Sequence, residues 1–323
     1  MPPTEPLDLV VSIINYRTGD MTIRCVASVL ADMGKIRGHV VVVDNASGDG
    51  SADQIAEWIA ARDSPVSLVR SPGNTGFSGG HNQGMNFARA GHYLILNSDA
   101  ELRPGCLAAF MEAAEKHPDH GLIAPRLEDP DGTPQISTFR FPTPFSELIR
   151  GARTGIVTRL LRRWNVSLGT APSPDAIEWV SFACVLLNAR MLDRIGMMDE
   201  GYFLYFEDTD TCWRARSAGW RILPCPQARV VHFRGGSAPV KALVAARKRL
   251  PGYYYAARTR VLFRLHGRLG LTAANLAWHL GRSIAAMRGL LGKPVPAANQ
   301  NEARDIWINY RDPLGDRRAP DEG

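Results

Sequence analysis

No CxxC pair occurs in the 323-residue chain, and its five cysteines, Cys25, Cys106, Cys184, Cys212 and Cys225, are odd in number and widely spaced. That argues against a zinc site and a disulfide framework and reads as buried structural thiols. Residues 1–9 hold Pro, Thr, Glu and Asp where a secretory leader carries a basic patch and an apolar run. The chain is therefore expected to be cytoplasmic. No window in residues 240–292 has eighteen uncharged apolar residues, so no spanning helix is expected there. Acidic residues are missing from residues 211–301, which contain sixteen Lys or Arg, while the rest of the chain holds 22 basic against 32 acidic residues. The net charge of +6 thus conceals a basic C-terminal third on an acidic body. Such asymmetry fits an anionic partner, either a membrane surface or a phosphate-bearing substrate. Nucleic acid is set aside because no nucleic-acid module accompanies the charge.

With 45% hydrophobic residues the chain can bury a full α/β core and carry an appendage. Strand-like runs at 9–14, 40–43, 66–69 and 93–96 alternate with helical stretches near 21–30, 52–61 and 80–89. This is a βαβ series building a parallel sheet. Runs such as "HVVVVD" have the character of strands covered on both faces. Prolines at 130, 134, 142, 144, 172 and 174 predict an irregular connection from 125 to 175, the kind of long loop that serves as a lid or binding loop. A strand and helix return in "EWVSFACVLLNARMLDRIG", and the core closes near His232. Residues 240–292 read as helical and basic, with Leu280, Ile284, Met287 and Leu291 on one face. An interfacial helix pair, a helix capping the domain and a contact with a second copy are all open. The polar tail, 311–323, is expected to fray.

Four constellations carry chemistry. Asp44 ends the strand "VVVD", where α/β sheets bind ligands, and a carboxylate there can accept the imide N–H of uracil or thymine; it can equally cap the helix that follows. In "SPGNTGFSGGHNQGMN" the glycines let backbone approach a ligand, and the next helix N-terminus favours phosphate. Asn97, Ser98 and Asp99 follow the strand of "YLILNSDAEL", oxygen ligands placed for a hard cation, although an ordinary turn has the same composition. In "FLYFEDTD" the pair Glu207 and Asp208 follows an apolar stretch that would raise a carboxyl pKa toward that of a general base. His232, at the end of "VVHF", reads as a metal ligand or a hydrogen-bonded core residue.

In this order these segments resemble glycosyltransferase family 2, closest to its rhamnosyltransferase-like branch, over residues 9–237. The resemblance implies a GT-A fold, α/β with a Rossmann-like, mostly parallel central sheet. It implies a catalytic domain at 1–237, with a nucleotide-sugar half (about 7–125) and an acceptor half (about 126–237), then a helical basic extension at 238–323. By position, Asp44 matches the residue that reads the base, with Asn15 and Tyr16 beside it, and Asn74, Gly76, Phe77, Gly80 and Asn82 match the donor loop. Asn97, Ser98 and Asp99 match the DxD motif, so Asp99 is the expected ligand to Mn2+ or Mg2+ and His232 completes the site; Asn97 replaces the motif's first Asp and removes one charge. Glu207 and Asp208 match an "ED" pair whose Asp is the base, and Trp179, Asp199 and Glu200 fall among acceptor contacts. The implied activity is inverting transfer from a nucleotide-diphosphate sugar, dTDP-rhamnose first and a UDP-hexose second, to a glycan or lipid-linked acceptor. Peripheral membrane contact through the basic helices and a homodimer are the further partner expectations. A sugar nucleotidyltransferase would need a glycine- and lysine-rich loop that "SIINYRTGD" lacks, and a binding module would leave the carboxylates of "NSDAEL" and "FEDTD" without a purpose.

Overall fold

In the computed structural model, which describes residues 5–234, 240–293 and 295–320, the expected βαβ series is present: β1 (Leu7–Asn15), α1 (Gly19–Asp32), β2 (Gly38–Asp44), α2 (Ser51–Ala60), β3 (Val66–Arg70), α3 (Gly76–Met85) and β4 (Ala90–Asn97). A short β5 (Ala100–Leu102), α4 (Cys106–Lys116) and β6 (His120–Glu128) follow. The valines of β2 are wholly buried because helices cover both faces of the sheet. All five cysteines are free and buried.

The segment expected to be irregular contains β7 (Thr138–Phe139), α5 (Pro144–Ala152) and α6 (Gly155–Leu160). Its prolines do not oppose helix here. Pro144 occupies the first turn of α5, where no N–H is required, and Thr143 caps it through the Ser146 amide. Then come β8 (Trp179–Val180), β9 (Cys184–Asn188), α7 (Ala189–Ile195), α8 (Glu207–Ser217) and β10 (Arg221–His232). The eight-stranded sheet has the order β3-β2-β1-β4-β9-β6-β10-β5. Strands β1 to β4 are parallel to one another, as are β6 and β10; β9 runs antiparallel between β4 and β6, and β5 pairs antiparallel with β10.

The boundary expected at 237 lies outside the described residues. Beyond it, α9 (Val240–Ala245), α10 (Gly252–Leu290) and α11 (Glu302–Asp305) pack onto the body. Gly267, at φ 66°, splits α10 into two halves that fold back on each other, and Arg258 of the first donates to Asn275 of the second at 2.8 Å. A buried ion network fastens this hairpin to α5. Glu147 accepts from Arg258 at 2.6 Å and from Arg150 at 2.7 Å, and Arg150 also pairs with Glu302. Gly151 and Gly281 allow the close contact, since a Cβ on Gly151 would lie 2.3 Å from the Trp278 carbonyl oxygen.

On the face that carries Leu280 and Met287 both side chains are more than half exposed, while Ala274, Trp278, Gly281 and Ala285 are buried. One expectation about this region changes: the described part of the tail does not hang free. Arg260 donates to the Gly315 carbonyl oxygen at 3.2 Å, and Arg317 donates to that of Thr75 at 2.7 Å. Among the described residues no helix is long and apolar enough to cross a membrane.

Candidate active site

Parallel strands that end together leave a crevice at their C-terminal edge. Here it is a cavity of about 810 Å³ lined by Tyr16 after β1, Asn45 after β2, Asn74, Gly76 and Phe77 at the start of α3, and Asn97, Ser98 and Asp99 after β4. Glu207 and Asp208 at the start of α8, and His232 at the end of β10, complete it. Another cavity, of about 870 Å³, opens at the start of β4 beside Arg89, His92, Glu112 and Arg190, away from these strand ends.

The segment between β3 and α3 is shaped by one glycine. Gly76 has φ +71°, and a Cβ there would stand 2.2 Å from the Phe203 carbonyl oxygen, which accepts the Phe77 amide at 2.7 Å. Asn45, not singled out by the sequence, organises the loop: its amide donates to Asn74 Oδ1 and the Gly76 carbonyl oxygen, and its Oδ1 accepts from the Thr75 amide. Asn15 is wholly buried and donates to Asp44 at 2.7 Å, Ser47 and Ser51, while accepting from Thr18. It braces Asp44, itself buried, and neither residue is among those lining the cavity. Gly80 lets α3 approach Ile14, and Asn82 ties α3 to the Met198 carbonyl oxygen and Glu200.

Asp99 Oδ1 stands 3.4 Å from His232 Nε2, although 133 residues separate them, because β5 returns beside β10. The other ring nitrogen of His232 is 3.2 Å from Gln135, which also donates to the His232 carbonyl oxygen. Ser98 is held by Thr18 at 3.1 Å. No group of three His, Cys, Asp or Glu that could hold a metal occurs among the described residues. One carboxylate and one imidazole nevertheless fit a hard divalent ion that keeps positions for substrate phosphates and water.

On the facing wall, Tyr205 and Phe206 both have left-handed backbone, φ 75° and 68°, immediately before Glu207. Non-glycine residues rarely adopt it, and strain of this kind gathers at functional sites. Glu207 is buried, and its Oε2 has no hydrogen-bond partner among the described residues. Burial, then the neighbouring Asp208, push its pKa well above the carboxylate range. Burial also raises Asp208, to about 6, against the opposing pull of the Thr209 amide and hydroxyl. The start of α8 thus presents one carboxyl held neutral and one poised to exchange a proton near neutrality.

The three remaining residues named from the resemblance lie elsewhere. Trp179 stacks on Phe139 and donates to the Arg140 carbonyl oxygen, Asp199 is paired with Arg260 and Arg264, and Glu200 holds Asn82. The cavity instead gains Phe203, Tyr205 and Tyr253 as an aromatic wall, and Arg318 from the tail. Nothing in the local sequence around Arg318 signals this, since its position depends on the α10 hairpin returning the chain to the crevice.

A mostly parallel sheet with an acidic, loop-lined crevice at its strand ends is the GT-A fold of glycosyltransferases. Solved structures share it: a Pyrobaculum calidifontis mannosyltransferase in complex with GDP-Man and Mn2+ (TM-score 0.53, 16% identity, covering 90% of this chain and 77% of that one) and S. aureus TarS 1–349 in complex with UDP (0.54, 16%, 95% and 80%). Residues 10–165 match the model of glycosyl transferase family 2, and the chain carries a domain of that family. Similar curated proteins are the N-acetylglucosaminyl-diphospho-decaprenol L-rhamnosyltransferase of Mycobacterium tuberculosis, 27% identical over 78% of this chain and 82% of that protein, and the low-salt glycan biosynthesis hexosyltransferase Agl10 of Haloferax volcanii, 24% identical over 70% and 67%.

Proposed function

We propose that the protein is a cytoplasmic inverting glycosyltransferase that moves rhamnose from dTDP-rhamnose to a hydroxyl of a lipid-linked glycan. The observation that supports this most is the pairing, across one cavity, of the Asp99 and His232 wall with a carboxyl, Asp208, whose pKa is raised to about 6. Asp44, braced by Asn15, would accept the imide N–H of the base, and the loop from Asn74 to Phe77 would hold the sugar nucleotide. Asp208 would take the acceptor proton while that oxygen attacks the anomeric carbon opposite the nucleotide, so that one displacement inverts the centre. Glu207, kept neutral, would donate a hydrogen bond to the acceptor. Asp99 and His232 would hold Mn2+ or Mg2+, which supplies positive charge to the departing diphosphate. A rhamnosyltransferase relative acting on a diphospho-decaprenol acceptor supports the choice of sugar and acceptor. A UDP-hexose is the second donor, favoured by the neighbour that holds UDP.

Calorimetry with dTDP-rhamnose, UDP-glucose and UDP-galactose, with Mn2+ and then with chelator, tests this. Binding of dTDP-rhamnose lost on chelation is expected; a UDP-hexose binding in its place reassigns the donor, and no binding by any of the three sinks the nucleotide-sugar reading. Arg318 lines this cavity from the tail and would meet the diphosphate there. Arg318→Ala is expected to weaken dTDP binding about tenfold, the order of one charge-assisted hydrogen bond, with thymidine binding unchanged. An equal loss for thymidine would show that the tail only shapes the pocket.

A further inference from the structure

Among the described residues twelve large apolar side chains are exposed, and nine of them lie on α5, α6 and the second half of α10 with Leu291 just past it. Leu269, Leu276, Leu280 and Met287 are 86, 58, 56 and 64% exposed, followed by Leu290 and Leu291 at 90 and 76%. Their spacing of seven, four and seven places the first four on one stripe of the helix, opposite the side formed by Ala274, Trp278 and Ala285 that is buried toward α5. On α6, which follows α5 directly, Ile156 and Leu160 are 67 and 80% exposed. Beside it Trp164 stacks on Phe145 at 4.2 Å with Arg163 over its ring at 3.8 Å, an aromatic with an apolar body and a cationic neighbour.

The two chain segments that carry most of these side chains have charge of one sign. Residues 148–174 and 211–301 contain no Asp or Glu, while Arg159, Arg162, Arg163, Arg288 and Lys293 lie in them. A second copy seated on this face would bring cations against cations with no acid in either segment to answer them. An anionic bilayer supplies phosphates for the cations and an apolar boundary for the leucines. We infer that the 268–290 half of α10, with α6, is the surface by which this protein lies on an anionic lipid membrane. This deepens the reading of a lipid-linked acceptor, yet docking is measured without donor or turnover, so the two can fail separately.

The test is flotation of the full chain with vesicles of phosphatidylglycerol and phosphatidylcholine, and with phosphatidylcholine alone, at low and high salt. Wild type is expected to float with the anionic vesicles and to be released by salt, and the variant L276E/L280E/M287E to bind at least about tenfold less. All three positions are more than half exposed, so its melting temperature and dTDP binding should stay as in wild type. Wild type left unbound, flotation unchanged in the variant, or a wild-type dimer by light scattering that the variant dissolves, each overturns the inference.

Discussion

Asp208→Asn is expected to lower turnover by about 10²- to 10⁴-fold, the usual contribution of a positioned base, with dTDP binding unchanged. Retained turnover would end the assignment. The pH dependence gives a second reading. A base with a pKa of about 6 must be ionised to act, so the wild-type rate should fall tenfold per pH unit below that value, and the residual rate of the variant should lack this limb. Stability should move the other way. A carboxyl whose pKa is raised on folding binds its proton more tightly in the folded chain, which helps at low pH and is lost as pH rises through about 6. At pH 7.5 the ionised group is therefore a cost, bounded by its distance from the ordinary 3.8 at about 3 kcal/mol, and the variant should melt higher than wild type. Activity lost with stability gained separates a poised base from a residue needed for folding.

Glu147→Ala is expected to destabilise the fold by about 3–5 kcal/mol, read by urea unfolding, because it strands two guanidiniums. Arg258 is 3% exposed and would keep only Asn275 and the Ile306 carbonyl oxygen; Arg150 would keep Glu302. Burial alone would raise the Glu147 pKa, but Arg150 and then Arg258 hold it down to about 2. A depressed carboxyl stabilises above its ordinary value of 4.5 and loses that contribution as pH falls toward 2, so wild type should weaken in that acid range and the variant should not. A loss under about 1 kcal/mol would mean that α10 rests on α5 by apolar contact alone.

The site is assembled by both kinds of information. Of the residues named from the sequence, Asn97 to Asp99 line the cavity and were legible because they stand where a strand of a parallel sheet ends and exposes its next residues at the ligand edge. Asp44 also ends a strand but is not among the lining residues, and Glu207 and Asp208, which open α8, were legible only from the apolar stretch before them. Phe77 and Gly76 were legible as a loop, but the need for glycine at 76 comes from a carbonyl 127 residues away. Asp199 and Glu200 stand beside the same stretch, yet their partners are Arg260 and Asn82, distant in the chain, and no local pattern distinguishes a carboxylate facing a cavity from one paired behind it.

The amino-acid sequence by itself determined the βαβ order, the buried strands and the cysteine state, since each follows from local periodicity and the cost of leaving apolar surface in water. It also placed the basic third of the chain. Tertiary structure alone decided which side of α10 is covered, since both sides of that half-helix are apolar and only the glycine contacts with α5 make one of them fit. It likewise decided that Asp99 meets His232 and that Arg318 reaches the cavity. Those are long-range closures, set by which strands pair and where a hairpin turns, and such pairings are fixed by packing and not by neighbours in the chain.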